Sequence, residues 1–263
     1  TSGIWSDETS MALCLADSLL ACGGSNPRDQ MERYRRWQAE GYLSATGTCA
    51  GITPNVLRAI GAARWRRQVF AGSHDPRRLD PEPLARVAPC AMFFYADRDA
   101  ALRYAVDAAR LTCQAPLVLS ATRVVAALVH AGLGGEDPLR GLDARLIEGQ
   151  GPDKHTTSAR LGDLLAGSFR NLPRAALRPA GHAIDVLEAA LWVLAHTDNF
   201  RDAALLAANL GGLSDVIGAI VGQVLGAYRG ADAIPSDWRA QLVQAELLQE
   251  FAARLHAAAF AAR

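Results

Sequence analysis

An all-α fold is the class this sequence predicts, and three observations point to it. Alanine, leucine and arginine dominate a chain of 263 residues that is 50% hydrophobic, and these residue types favour helices. Apolar residues recur at helical spacing along most of the chain, and β-branched alternation is scarce. Start and stop signals, such as Asn26-Pro27 and Gly23-Gly24, bracket the periodic stretches. The length suffices for one large core. With no fixed-period repeat and no linker, residues 1–263 read as a single compact multi-helix domain.

The elements follow in order. Glu8 to Ala21 carries Met11, Leu13, Leu15, Leu19 and Leu20 and ends at Gly23-Gly24. Asn26-Pro27 pairs an N-cap residue with proline at N1, opening a helix through Met31, Tyr34 and Trp37 to Glu40. Thr53-Pro54 opens another over Val56 to Arg66. Gly72 to Pro83, with three prolines and two Asp-Pro steps, reads as a surface loop. Helical segments follow at Pro89 to Tyr95, Arg98 to Thr112 and Leu117 to Ala131. Gly132 to Asp137 and Gly149 to His155 read as loops. Asp185 to Ala195 predicts a core helix, followed by helices at Asn199 to Ala208 and, after Gly211-Gly212, at Ser214 to Tyr228. Pro235 opens a short element, and Trp238 to Ala262 reads as one long helix. Gly218, Gly222, Gly226 and Gly230 share one helix face. Interior glycines cost about 1 kcal/mol each, so this spacing predicts a neighbouring helix backbone packed close against them.

Bulk properties narrow the function. Lys+Arg and Asp+Glu are both 27, so there is no basic excess of the kind nucleic-acid binding needs. Lys154 is the only lysine. Arginine suits phosphate and carboxylate recognition, although a biased genome composition produces the same excess. Cys14, Cys22, Cys49, Cys90 and Cys113 are odd in number and lack CxxC spacing, which argues against a disulfide framework or a zinc site. Buried free thiols and a cytoplasmic protein are expected. Apolar runs stop short of the ~20 residues of a membrane span, and no signal peptide is visible.

Two acidic turns stand at helix starts. Ser6-Asp7-Glu8-Thr9 follows Ile4-Trp5, and Gly211-Gly212-Leu213-Ser214-Asp215 precedes the glycine-spaced helix. Either one alone is explained by capping and by the helix dipole. With their flanks they resemble something more specific. Ile4 to Leu13, then Ala16-Asp17-Ser18-Leu19, is similar to the N-terminal metal motif W-(S/T)-D-D-T-x-M of the ADP-ribosylglycohydrolase family, of the dinitrogenase-reductase-activating kind. Asp185 to Trp192 with Thr197-Asp198-Asn199-Phe200 resembles the segment ahead of the second motif. Asn209 to Gly222 resembles N-L-G-G-D-x-D-T-x-G-A-I-x-G, continued by Gly226-Ala227-Tyr228-Arg229-Gly230. Gly41-Tyr42-Leu43-Ser44 through Thr48 and Arg86-Val87-Ala88-Pro89 add weaker similarity.

The resemblance implies an all-α ADP-ribosylglycohydrolase-like bundle that hydrolyses an ADP-ribosyl linkage on a protein or small ADP-ribose derivative. It implies Mg²⁺ or Mn²⁺ held by Ser6, Asp7, Glu8 and Asp215, with Asp7 and Glu8 catalytic. Gly211, Gly212, Ser214 and Arg86 would bind substrate. The departures weaken that set. Glu8 stands where the family has Asp, and Leu213 and Val216 stand where it has Asp and Thr ligands. Mg²⁺ needs near-octahedral oxygens at about 2.0–2.1 Å, so one ion is expected rather than two, or none. Asp80-Pro81-Glu82-Pro83 replaces a glycine-rich loop, Thr112-Cys113 replaces a Thr-His pair, and the family's opening helix would lie before Thr1. Three readings follow: a metal-dependent hydrolase; a silent relative that binds ADP-ribose or another nucleotide, or serves as a partner-binding or structural protein; and a different hydrolysis or transfer reaction on the same fold, with a His182–Asp185 pair on one helix face.

Overall fold

Local signals in the chain set most helix ends. Helix α1 (Asp7–Cys22) starts after the extended Ser6 and closes at Gly23, whose φ of +64° lets its N–H reach the Leu19 carbonyl. In α2 (Pro27–Glu40) the Asn26 side chain accepts from the Asp29 N–H. In α3 (Pro54–Arg66) the Thr53 side chain accepts from the Val56 N–H. Helices α4 (Ala88–Phe93), α5 (Arg98–Arg110), α6 (Pro116–Leu133), α7 (Ala159–Leu165), α8 (Ala183–Ala195), α9 (Phe200–Ala208), α10 (Ser214–Arg229), α11 (Ser236–Gln241) and α12 (Ala245–Phe260) follow. The computed structural model describes residues 2–147 and 158–261, and among them there is no strand. The loop expected at Gly149 to His155 lies outside the described residues.

The core forms around α6 and α8. Every residue of α8 from Ala183 to Leu194 is buried, its two carboxylates Asp185 and Glu188 being paired with Arg160. Helix α10 packs on α6, α8 and α9, while α5 covers another side of α6. A second cluster, containing Met11, Tyr34, Trp37 and Val56, ties α1 to α2 and α3. Helix α6 alone among the described helices is long and apolar enough to cross a membrane, contrary to the expectation that every apolar run falls short. Its apolar side chains pack against neighbouring helices.

Four expectations need correction. No close helix approach meets Gly218, Gly222 or Gly226, because a Cβ at each would find no atom within 4 Å. The tight α6–α10 crossing is made instead by Gly132, where a Cβ would lie 3.0 Å from the Tyr228 nitrogen. The stretch Gly72 to Pro83 is not wholly a surface loop. Gly72 packs on the Thr112–Cys113 backbone, and a buried 3₁₀ turn, Glu82–Arg86, ends the segment. The expected single helix Trp238 to Ala262 is broken between α11 and α12. Val243 donates to the Gly3 carbonyl (3.0 Å) and Gln244 takes a φ of +52°, which turns α12 so that Phe251, Leu255 and Ala259 are buried. Finally, the five cysteines are free but not all buried, since Cys22 is exposed and Cys49 half-buried. Helix α7 (Ala159–Leu165) has no side-chain N-cap bond to mark its start.

Candidate active site

The N-termini of α1 and α10 open on the same cleft, a cavity of about 550 Å³ lined by Asp7, Glu8, Asp215, Leu213 and Val216 among others. Residues from the two ends of the chain are thus brought together. Asp7 and Glu8 are buried, at 8% and 3% exposure, in the first turn of α1, where the helix dipole favours negative charge. Gly51, with φ +79°, backs Asp7 so closely that a Cβ there would lie 2.5 Å from its Oδ1. The Ser6 hydroxyl donates to the Glu8 carboxylate. Asp215 is more open, and its Oδ1 accepts from the Val216 N–H at 2.9 Å. The turn before it is held by the Leu213 N–H on the Pro179 carbonyl (2.8 Å) and by Gly212, packed with φ +59° against Pro179–Ala180.

Burial, with the like charges of Glu8 and Asp215 nearby, pushes the Asp7 carboxyl up to about 7. The opposite sign is also present. Arg58, Arg77 and Arg78 line the cleft with His182, and Arg77 is paired to Asp75 at 3.0 Å. Two larger cavities lie elsewhere. One of about 820 Å³ separates α2 from α3, and one of about 710 Å³ lies between α3 and the 68–78 segment. Neither contains a cluster of carboxylates, so chemistry rather than size selects the smaller cleft.

Other expected residues stand apart from the cleft. Arg86 is 1% exposed, with its guanidinium donating to Thr112 Oγ1 at 2.5 Å and to Met11 Sδ at 3.3 Å. It braces the core between α1 and the 111–114 turn rather than facing the cavity. Ser6, Gly211, Gly212 and Ser214 are not among the lining residues. A His182–Asp185 side-chain pair does not form. The Asp185 carboxylate accepts instead from the His182 backbone N–H (2.8 Å) and pairs with Arg160 (2.5 Å), which also holds Glu188 (2.7 Å). In the sequence Asp80 and Glu82 stand out only as a departure from a glycine-rich loop, and Arg58, Arg78, Gly51 and Gly181 do not stand out. The cleft collects all six. For Arg78, Asp80 and Glu82 the sequence offers only charge in a proline-rich turn, and for Arg58, Gly51 and Gly181 no local signal.

Asp7, Glu8 and Asp215 bring to the cleft hard carboxylate oxygens of the kind Mg²⁺ and Mn²⁺ prefer. Among the described residues no three His, Cys, Asp or Glu side chains are drawn together as a metal cluster, so an ion would have to gather these carboxylates around itself. Leu213 and Val216 offer the cleft no side-chain donor.

A family model described as ADP-ribosylglycohydrolase matches residues 1–263. The chain belongs to the ADP-ribosylglycohydrolase family. Among relatives of this ADP-ribosylglycohydrolase chain is the ADP-ribosylarginine hydrolase Tri1 of Pseudomonas putida (strain GB-1), 30% identical over 97% of this chain and 66% of that protein. Tri1 of Serratia proteamaculans (strain 568) is also 30% identical, over 96% and 67%. The chain thus spans about two thirds of the length of these two relatives. The ADP-ribosyl-[dinitrogen reductase] glycohydrolase of Rhodospirillum rubrum is 26% identical over 90% of this chain and 72% of that one. A solved structure titled an ADP-ribosylglycohydrolase-related protein complex superposes with a TM-score of 0.82 at 35% identity, covering 98% of this chain and 83% of that one.

Proposed function

We propose that the chain hydrolyses an ADP-ribosyl linkage on a protein or a small ADP-ribose derivative, with Asp7, Glu8 and Asp215 holding one Mg²⁺ or Mn²⁺ and the Ser6 hydroxyl orienting Glu8. Family membership supports the reaction class. The observation that carries the residue assignment is the meeting of Asp7 and Asp215 in one cleft. When bound, the ion would orient ribose hydroxyls and lower the pKa of a water. In the hydrolysis the water oxygen bonds to the anomeric carbon, and the bond from that carbon to the linked atom breaks. The linked atom gains the proton that the water loses. Asp7, in the first turn of α1 and lining the cleft beside Glu8, is placed to orient that water. Helix α1 fixes its position, and Gly51 leaves room for its carboxylate.

The test is release of ADP-ribose from an ADP-ribosylated protein by the full chain. Turnover is expected with Mg²⁺ or Mn²⁺, and loss of about 100-fold or more in Asp7→Ala and Asp215→Ala. Turnover that survives a chelator would overturn the metal assignment.

A second reading is supported by Leu213 and Val216, which place apolar side chains on the cleft where family ligands would stand. In that reading the chain binds ADP-ribose without cleaving it. Saturable ADP-ribose binding with no release of product under any divalent ion would select this reading over the first.

A further inference from the structure

We propose that Asp80 and Glu82 form a guanidinium-binding subsite in the carboxylate cleft, taking the cationic side chain of an arginine carried by the substrate. The reaction class rests on the hydrolase reading above, but the subsite rests on its own observations. Glu82 is 8% exposed, and its Oε2 is buried with no hydrogen-bond partner. Asp80 Oδ2 is in the same condition. Both residues line the cleft. A buried carboxylate oxygen left without a donor is costly, and native proteins seldom keep one without a use for it.

Nearby cations leave both oxygens unpartnered. Arg86, at the other end of the same 3₁₀ turn, donates to Thr112 and Met11. Arg77 is paired with Asp75. Arg58 and Arg78 line the cleft without reaching either orphan oxygen. The contrast with Asp185 and Glu188 is direct, because there one guanidinium, that of Arg160, spans two carboxylates. Asp80 and Glu82 stand two residues apart on the cleft wall, with no protein arginine bonded to either orphan oxygen.

The ligand chemistry follows from number and stiffness. Two carboxylates match the planar fork of a guanidinium, which donates in parallel pairs. Among the described residues no third His, Cys, Asp or Glu joins them to make a metal site. Pro81 and Pro83 flank Glu82 and fix φ on both sides, so the pair is held in place before a ligand arrives. Two negative charges also disfavour a diphosphate at this wall of the cleft. Arg58 and Arg78 carry the complementary charge for it. The cleft thus has one part suited to each end of an ADP-ribosylated arginine.

The experiment titrates the full chain, in chelator, with N-acetyl-arginine methylamide and with its neutral isostere, N-acetyl-citrulline methylamide. Calorimetry or chemical-shift changes report binding. Saturable arginine binding is expected, with citrulline weaker by about tenfold or more. Glu82→Gln and Asp80→Asn should each lose that preference, while Asp163→Asn, at an exposed position of α7 outside the cleft, keeps it. Thermal melts establish that the variants are folded, and the two isosteric changes provide independent trials. Equal binding of citrulline, no arginine binding by the wild type, or unchanged binding in both folded variants would overturn the proposal. So would Mn²⁺ binding, measured without chelator, that is lost in Glu82→Gln when arginine does not bind the wild type, since the pair would then be a metal site. Arginine binding with no ADP-ribose release would leave the subsite standing and remove only the hydrolase reading.

Discussion

Asp7 shows how a single residue can be placed for chemistry at the expense of stability. Its carboxyl titrates near 7 in the fold, against 3.8 for the ordinary group, because burial and the charges of Glu8 and Asp215 oppose ionisation. The folded pKa is the higher one. Its stabilising contribution is therefore complete below about pH 4 and lost as pH rises through about 7. Metal-free Asp7→Asn should consequently melt a few degrees above the wild type near pH 8, with the gain shrinking toward pH 5. Differential scanning calorimetry at the two pH values checks this, and an equal gain at both would contradict it. Leu213 and Val216 set the second residue-scale expectation. Leu213→Asp combined with Val216→Thr should raise Mn²⁺ stoichiometry from about one to about two per chain, read by equilibrium dialysis. Asp7, Glu8 and Asp215 were legible in the sequence because short motifs surround them. Asp80 and Glu82 were not, since nothing local distinguishes an orphaned buried carboxylate from a solvated one in a turn.

At the level of elements, capping chemistry was the readable part. Asn26, Thr53 and Asn199 each accept from a backbone N–H in the first turn of the helix that follows, and side chains of these types do so almost independently of the rest of the molecule. The glycine spacing in α10 was readable as a pattern but not as a cause. Gly218 and Gly222 lie where a Cβ meets nothing within 4 Å, so each should be replaceable. Gly222→Ala is expected to stabilise the fold by roughly 1 kcal/mol, or about 2–4 °C in Tm for a domain of this size. Gly72→Ala should do the reverse, because its Cβ would lie 2.4 Å from the Cys113 nitrogen. Thermal melts of the two variants give opposite signs if α10 is open along that face. The break between α11 and α12 was not readable, because the residues around Gln244 have ordinary helix propensity and the left-handed turn is imposed by contacts made far away in sequence.

For the whole molecule, the meeting of the two chain ends is decisive. Gly3, with φ +83°, sits so close to Gln241 that a Cβ would fall 1.7 Å from its carbonyl oxygen, and the Gly3 carbonyl accepts from Val243. This contact holds the residues just ahead of α1 against the segment that links α11 to α12. Gly3→Ala should therefore lower Tm by several degrees and also weaken Mn²⁺ binding, since the Asp7 turn begins four residues on. A loss of Tm with unchanged Mn²⁺ affinity would show the two regions to be uncoupled. Taken alone, the sequence determined the helical class, most helix starts and the acidic pair in the first turn of α1. All of these depend on interactions within a few residues. Tertiary structure alone decided that Asp80 and Glu82 join Asp7 and Asp215 in one cleft, that Arg86 is buried in the core, and that the last long helix is split. Those outcomes depend on which apolar faces pack together, and packing joins residues that no local pattern connects.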